Sequence, residues 1–312
     1  MKPFAFVFPG QGSQSVGMLD AWADHPAVKA TLEEASQALG EDVAGLIHNG
    51  PKETLDLTTN TQPVMLTAAI ACYRAWLADG GPAPVAVAGH SLGEYSALVA
   101  AGALSLSDAL PLVRFRAQAM QEAVPVGAGA MAAILGLDAA VVKDVCAQAA
   151  AASGQAVEAA NFNDPKQTVI AGTKAGVDKA CEMLKAAGAK RALPLAVSAP
   201  FHSSLMKPAA ERLRERLASV TIQAPAIAVV NNIDAQVENE PNAIRHALYR
   251  QAYGAVRWVE VVQALRARGL DHILECGPGK VLSGLVKRID GEAQSMTVLD
   301  PATLAEARSM LG

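Results

Sequence analysis

Residues Phe4–Phe8 form an unbroken apolar run closed by Pro9 and Gly10, the pattern of a short strand buried on both faces and followed by a tight loop. Residues 85–88 repeat that pattern, and Gly89-His90-Ser91-Leu92-Gly93 then leads into a helical run at 95–101. Between the two strands, residues 61–78 read as a helix with Thr61 as its cap and Pro63 in the first turn, where a missing N–H does no harm. Ser107 stands where it would cap a further helix to about Ala123. Strands alternating with helices predict an α/β fold with a parallel sheet.

The rhythm changes at residues 125–129. A strand at 130–135, a helix at 138–152, strands at 157–162 and 168–171, a helix at 174–187 and a strand at 191–195 give the order β-α-β-β-α-β, that of the ferredoxin-like split motif. After Pro200 the earlier pattern resumes, with a helix at 205–218, a strand at 226–230, helices at Pro241–Tyr253 and 258–268, strand His272–Cys276 and helix Val281–Ile289. The expected organisation is a large catalytic α/β domain of residues 1–125 and 198–312, discontinuous in sequence, with a ferredoxin-like small domain inserted at 126–197.

Composition supports a large buried core: of 312 residues, 51% are hydrophobic and 18% charged, which excludes a disordered chain. Only 4% are aromatic, so the apolar surplus lies in Ala, Val and Leu and suits parallel strands better than a base-stacking platform. A net charge of -4 provides no basic field, and neither nucleic acid nor a membrane is an expected partner. The charges are uneven: Lys and Arg against Asp and Glu number 6 to 12 over residues 1–124, 4 to 6 over 125–184, 15 to 8 over 185–288 and 1 to 4 over 289–312. The basic segment could form a face for an acidic partner, while Arg212, Arg214 and Arg216 also suit a solvated helix face. Cys72, Cys146, Cys181 and Cys276 are widely spaced, without a metal pattern, and read as core thiols of a reducing compartment. The N-terminal apolar run breaks at Pro9, and no apolar stretch reaches the roughly 18 residues of a membrane span. A cytoplasmic location is the expectation.

The strongest chemical signal is the G-x-S-x-G at Gly89–Gly93, with a strand before it and a helix after it. Ser91 on so sharp a turn has its hydroxyl pushed out at the sheet end, beside a helix N-terminus that favours a developing oxyanion. A serine nucleophile needs a base. His90 is adjacent and points elsewhere on an elbow; His25, His48, His246 and His272 suit structural roles; His202, downstream in Pro200-Phe201-His202-Ser203, fits a Ser-before-His order and is preferred.

Taken together, Phe8-Pro9-Gly10-Gln11-Gly12-Ser13-Gln14, Gly89-His90-Ser91-Leu92-Gly93-Glu94-Tyr95-Ser96, Arg116 with Met120-Gln121-Glu122, Asn161-Phe162-Asn163, Pro200-Phe201-His202-Ser203 and Glu275-Cys276-Gly277-Pro278-Gly279-Lys280 resemble the malonyl-CoA:acyl carrier protein transacylase family, in order and over nearly the whole chain. The resemblance implies an α/β-hydrolase-like large domain, with the active site in the cleft between the two domains. It implies Ser91 as nucleophile, His202 as general base and acid, and an oxyanion hole from the backbone N–H groups of Gln11 and Leu92. A backbone carbonyl near Gln251 would orient the imidazole; an ordinary helix-end glutamine is the equal alternative. Arg116 would clamp the malonyl carboxylate with two parallel charge-assisted bonds. Arg114 lies on another face of the same helix, and periodicity does not choose between them. Phe201 would limit room for branched acyl groups.

The implied activity is malonyl transfer from malonyl-CoA to the phosphopantetheine thiol of acyl carrier protein, by a malonyl-serine intermediate, for fatty-acid synthesis. The resemblance also implies a monomer that needs no cofactor, with the coenzyme A thioester as substrate. A serine esterase or thioesterase, a carrier-binding module with a vestigial site, and malonyl transfer to a malonate decarboxylase or polyketide carrier are the alternatives. Lys190, Arg191, Lys280, Lys287 and Arg288 are candidates for the docking face. Gly277-Pro278-Gly279-Lys280 lacks phosphate-loop spacing, no G-x-G-x-x-G follows a strand, and no His or Cys cluster has metal spacing.

Overall fold

The computed structural model describes residues 1–312. The chain begins with β1 (Phe4–Phe8), α1 (Pro26–Leu39), α2 (Val43–Asn49), α3 (Lys52–Leu55), α4 (Thr58–Ala78), β2 (Ala86–Gly89), α5 (Gly93–Ala100) and α6 (Leu106–Glu122). A middle stretch follows, made of β3 (Gly129–Leu135), α7 (Ala139–Ser153), β4 (Val157–Asp164), β5 (Gln167–Thr173), α8 (Lys174–Ala186) and β6 (Arg191–Pro194). The last stretch is α9 (Lys207–Ala218), β7 (Ala228–Val230), α10 (Pro241–Tyr253), α11 (Trp258–Ala267), β8 (His272–Cys276), α12 (Val281–Ile289), β9 (Thr297–Val298) and α13 (Pro301–Leu311).

Five strands form a sheet in the order β7-β2-β1-β8-β9, and every pairing in it is parallel. Side chains alternate along β1: Phe4, Phe6 and Phe8 enter one apolar core, Ala5 and Val7 the other. Both faces are covered, which is why the strand reads as one unbroken apolar run. Phe6 meets Phe4 at 5.0 Å and Trp76 of α4 at 5.2 Å, both edge-on. Each such pair contributes about 0.5–1.5 kcal/mol beyond its buried area. Phe4, Phe6, Phe8, Tyr73 and Trp76 thus form one aromatic cluster that braces the central strand. Parallel pairing, with Phe8 beside Gly89, puts the loop after β1, the turn after β2 and Asn231-Asn232 after β7 on one sheet edge. Loops at that edge are where an open α/β sheet collects its chemistry.

Several expected boundaries shift for local reasons. The helix expected from Thr61 starts at Thr58, and the Thr61 hydroxyl donates back to the Leu55 carbonyl at 2.6 Å and the Leu57 carbonyl at 3.1 Å. Thr61 therefore lies inside the helix rather than capping it. Ser105 caps α6 in place of Ser107, its Oγ accepting from the Asp108 N–H at 3.0 Å. The helix expected from Leu205 is a short tight turn, Ser204–Met206, before α9 begins with Pro208 in its first turn. Helices α1, α2, α3 and α13 and strand β9 were not expected from the periodicity.

The middle stretch builds its own sheet, in the order β4-β5-β3-β6 with every pairing antiparallel. It is tied back to the first sheet's helices through β4. The Phe162 N–H donates to the Val256 carbonyl at 2.9 Å, and the Val256 N–H to the Ala160 carbonyl at 2.9 Å. Asp164, almost fully buried, takes Arg288 of α12 at 2.7 Å. These bonds hold one wall of a cleft against the other.

Candidate active site

The turn between β2 and α5 places Ser91 at φ 52°, in the left-handed region that a non-glycine residue occupies only under constraint. The constraint is visible. The Ser91 N–H donates to Asn232 Oδ1 at 2.7 Å, and Asn232 Nδ2 donates to the Gly89 carbonyl at 2.7 Å, so one side chain staples both ends of the turn. Gly93 and Gly10 allow the loop after β1 to lie against it. A Cβ on Gly93 would come within 2.1 Å of the Phe8 carbonyl oxygen, and one on Gly10 within 2.5 Å of that of His90.

His202, also left-handed at φ 58°, brings Nε2 to 2.6 Å from Ser91 Oγ. Its Nδ1 faces the backbone carbonyls of Gln251 at 2.9 Å and Gly254 at 3.2 Å. Carbonyls only accept, so Nδ1 carries the proton and Nε2 offers its lone pair to the serine. Gln251 lies in the last turn of α10, where helix carbonyls have no helical partner, which frees its oxygen for the imidazole. Burial, aided by the Arg116 charge, pushes the His202 pKa down to about 3, so the ring is neutral near pH 7. No carboxylate stands behind it.

Arg116 is fully buried on α6. It donates from Nη1 to Gln62 Oε1 at 2.8 Å, and from Nη2 to Ser91 Oγ at 3.1 Å and Gln251 Oε1 at 3.0 Å. Arg114 turns outward to an ion pair with Glu41. The choice that periodicity left open is thereby made by packing. Leu92 and Gln11 line the same cleft, of about 510 Å³, with Met131, Asn161 and Leu195 opposite, and neither the Leu92 nor the Gln11 backbone N–H donates to a protein acceptor. The Gln11 side chain is held by Thr58 Oγ1 at 3.1 Å. Phe201 lies half-buried in the cleft wall beside His202. His90 points away, bonded through Nε2 to Asn163 Oδ1 at 2.8 Å.

Sequence reasoning passed over Asn232 and Gln62, and gave no role to Asn163 and Glu94 although both stand in the quoted motifs. Asn232 and Gln62 hold Ser91 and Arg116; Asn163 holds His90; and Glu94, buried on α5, accepts at Oε2 from the Gln251 side chain at 3.0 Å and the Asn232 N–H at 2.9 Å. Their signal was modest: Asn232 stands two residues after a buried strand at the active edge, and Gln62 is polar on a helix buried nearly all round. Of the docking candidates, Lys190, Arg191, Lys280 and Lys287 are exposed and in no ion pair, whereas Arg288 is taken by Asp164. No three His, Cys, Asp or Glu side chains group as a metal site, all four cysteines are free, and no helix is long and apolar enough to cross a membrane.

A hydroxyl bonded to a neutral imidazole at the end of a parallel sheet, with a guanidinium on the same oxygen, equips an α/β protein for serine-based acyl exchange. The acyl transferase domain profile matches residues 5–300. The chain is 53% identical to the malonyl CoA-acyl carrier protein transacylase of Escherichia coli (strain K12), over 98% of this chain and 99% of that one. The crystal structure of acyl-carrier-protein S-malonyltransferase from Burkholderia pseudomallei 1710b superposes with a TM-score of 0.97 at 66% identity, covering 99% of this chain and 100% of that one. A malonyl-transacylase solved in complex with its type II PKS acyl-carrier protein superposes with a TM-score of 0.97 at 49% identity, covering 99% and 100%. The chain belongs to the acyl transferase family, among the malonyl CoA-acyl carrier protein transacylases.

Proposed function

We propose that this protein is an [acyl-carrier-protein] S-malonyltransferase, moving malonyl from malonyl-CoA to the phosphopantetheine thiol of acyl carrier protein and supplying extender units for fatty-acid synthesis. The observation that carries the reading is the Ser91–His202 bond of 2.6 Å with Arg116 on the same serine oxygen. Ser91 Oγ attacks the thioester carbonyl as His202 Nε2 takes its proton. The Leu92 and Gln11 N–H groups hold the oxyanion, a contribution worth about a hundredfold or more in rate per donor. Collapse expels coenzyme A, whose sulfur receives the proton from His202. In the second half the carrier thiol gives its proton to His202, attacks the Ser91 ester and leaves as the malonyl thioester, and the proton returns to Ser91. The Gln251 carbonyl keeps the imidazole in the required tautomer throughout. Arg116 selects an acyl group that bears a carboxylate, and Phe201 narrows the space for branched ones. The substrate itself brings the coenzyme, and no step needs another cofactor.

The same reading takes residues 1–125 and 198–312 as an α/β-hydrolase-like domain and 126–197 as an inserted ferredoxin-like one. The split into a parallel and an antiparallel sheet, and the order β4-β5-β3-β6 with helices α7 and α8, support that division. The four free cysteines suit a cytoplasmic location.

Intact mass of the full chain after malonyl-CoA, and again after holo acyl carrier protein, tests the function. One malonyl group on Ser91 that persists in buffer and leaves for the carrier is the expected result. No adduct on folded protein would overturn the proposal, and an adduct lost equally fast to water would make the protein an esterase. The relative solved with its PKS carrier favours a second reading, in which the same chemistry serves a polyketide carrier; comparing the two carriers as acceptors separates them.

A further inference from the structure

Arg116 is a buried cation whose hydrogen-bonded nitrogens meet only uncharged oxygens, those of Gln62, Gln251 and Ser91, while its Nε has no partner. A charge so desolvated needs a compensating one. The carboxylate that bears on it is Glu94, 2% exposed, which α5 turns inward from its first turn. A single side chain separates the two. Gln251 gives its Nε2 to Glu94 at 3.0 Å and presents its Oε1 to Arg116 at 3.0 Å. A substrate carboxylate arriving at Arg116 is therefore a second anion competing for one buried cation.

We propose that Glu94 is the resting counter-charge of Arg116, and that its ionised fraction takes up a proton from solvent when the carboxylate of an acyl group on Ser91 takes over that guanidinium. This rests on the malonyl-transfer reading above. The covalent exchange is unchanged: the Ser91 proton passes through His202 to the departing thiol. The additional proton comes from water and ends on the Glu94 carboxyl.

The surroundings give the sign. On Glu94, burial acts most strongly and pushes the carboxyl up to about 7, against the holding effect of Gln251 from α10, the Asn232 N–H after β7 and Arg116 from α6. Asp234, itself paired with Arg250, pushes in the same direction as burial, and Tyr95 is the neighbouring ionisable group on α5. His202 and His90 are both held neutral by burial and contribute no charge here near pH 7. Neutralising Arg116 removes a cation that favours ionised Glu94, so the malonyl-enzyme binds more protons than the free enzyme. By linkage, the equilibrium for malonylation must fall as pH rises through the neutral range. An acetyl group carries no anion and leaves Glu94 as it was.

The test equilibrates the full chain with a fixed ratio of malonyl-CoA to coenzyme A between about pH 6.5 and 8.5, with acetyl-CoA in parallel, and reads the acylated fraction by intact mass. The malonyl-enzyme ratio is expected to fall about threefold or more per pH unit, while the acetyl ratio stays within about twofold across the range. Glu94→Gln, which keeps the side-chain length and an acceptor oxygen, is expected to flatten the malonyl curve. A flat malonyl curve in the unmodified protein, an equal slope for acetyl, or an unchanged slope in Glu94→Gln would each overturn the proposal. The comparison of the two acyl groups stands without the variant should it fold poorly. Absence of any malonyl adduct would overturn the transfer reading itself and this proposal with it, whereas an adduct of pH-independent stability overturns the proposal alone.

Discussion

Ser91 and His202 are two of three non-glycine residues with left-handed backbone, at φ 52° and 58°. Each such residue costs about 1–3 kcal/mol, sustained here by the Asn232 staple and by the carbonyls at the end of α10. Ser91 was legible because its motif is local, a serine between glycines with strand and helix on either side. The arginine was not legible from periodicity. Positions 114 and 116 sit about 200° apart round the helix, and which one faces inward depends on Glu41 and Gln62, remote in sequence. On the transfer reading, Arg116→Ala should slow Ser91 malonylation about a hundredfold or more, the worth of one to two charge-assisted hydrogen bonds, and slow acetylation far less. Parallel rates with the two acyl donors check this, and equal losses would make Arg116 structural.

At the level of elements, caps decided where periodicity was approximate. Ser105 and Ser107 both precede the apolar face of α6, but only Ser105 is three residues ahead of the N–H it accepts, that of Asp108, and its own hydroxyl donates to the Asp108 carboxylate at 2.7 Å. Ser105→Ala should therefore lower the stability of the chain by about 1 kcal/mol, and Ser107→Ala by a few tenths, a difference that thermal melts of the two variants would show. Strands such as His272–Cys276 and helices such as Pro241–Tyr253 and Val281–Ile289 were readable to their ends, because Pro, Gly and apolar runs mark them. Helix α13 was missed although its start carries a reciprocal cap, Asp300 with Thr303, with Pro301 as the first helical residue. Its Ala-rich sequence spreads apolar residues round the helix, and Leu304, Ala307 and Leu311 become a buried stripe only against the rest of the core.

Across the whole molecule, the uneven charge becomes a spatial fact. Lys190 and Arg191 at the edge of the second sheet, and Lys280 and Lys287 on the first sheet's side, stay exposed and unpaired, while Arg288 spends its charge on Asp164. Unpaired surface cations act over roughly a Debye length of 8 Å at physiological salt. If they receive an acidic carrier, raising salt should weaken transfer to the carrier markedly more than acylation by malonyl-CoA; initial rates of the two half-reactions over a salt series check this, and equal sensitivity would remove charge from the docking account. The amino-acid sequence by itself determined the buried central strands, the serine turn, the division between parallel and antiparallel stretches, and the order in which serine and histidine occur. Those follow from local rules of burial, turn geometry and alternation. The family resemblance had named Arg116 and a carbonyl near Gln251, but only the tertiary structure decided how Arg116 is turned inward onto Gln62, that the Gly254 carbonyl joins that of Gln251 on the imidazole, and that Glu94 lies one amide away from Arg116. These are contacts between residues up to 157 positions apart, as between Glu94 and Gln251, and chain folding rather than local pattern brings them together.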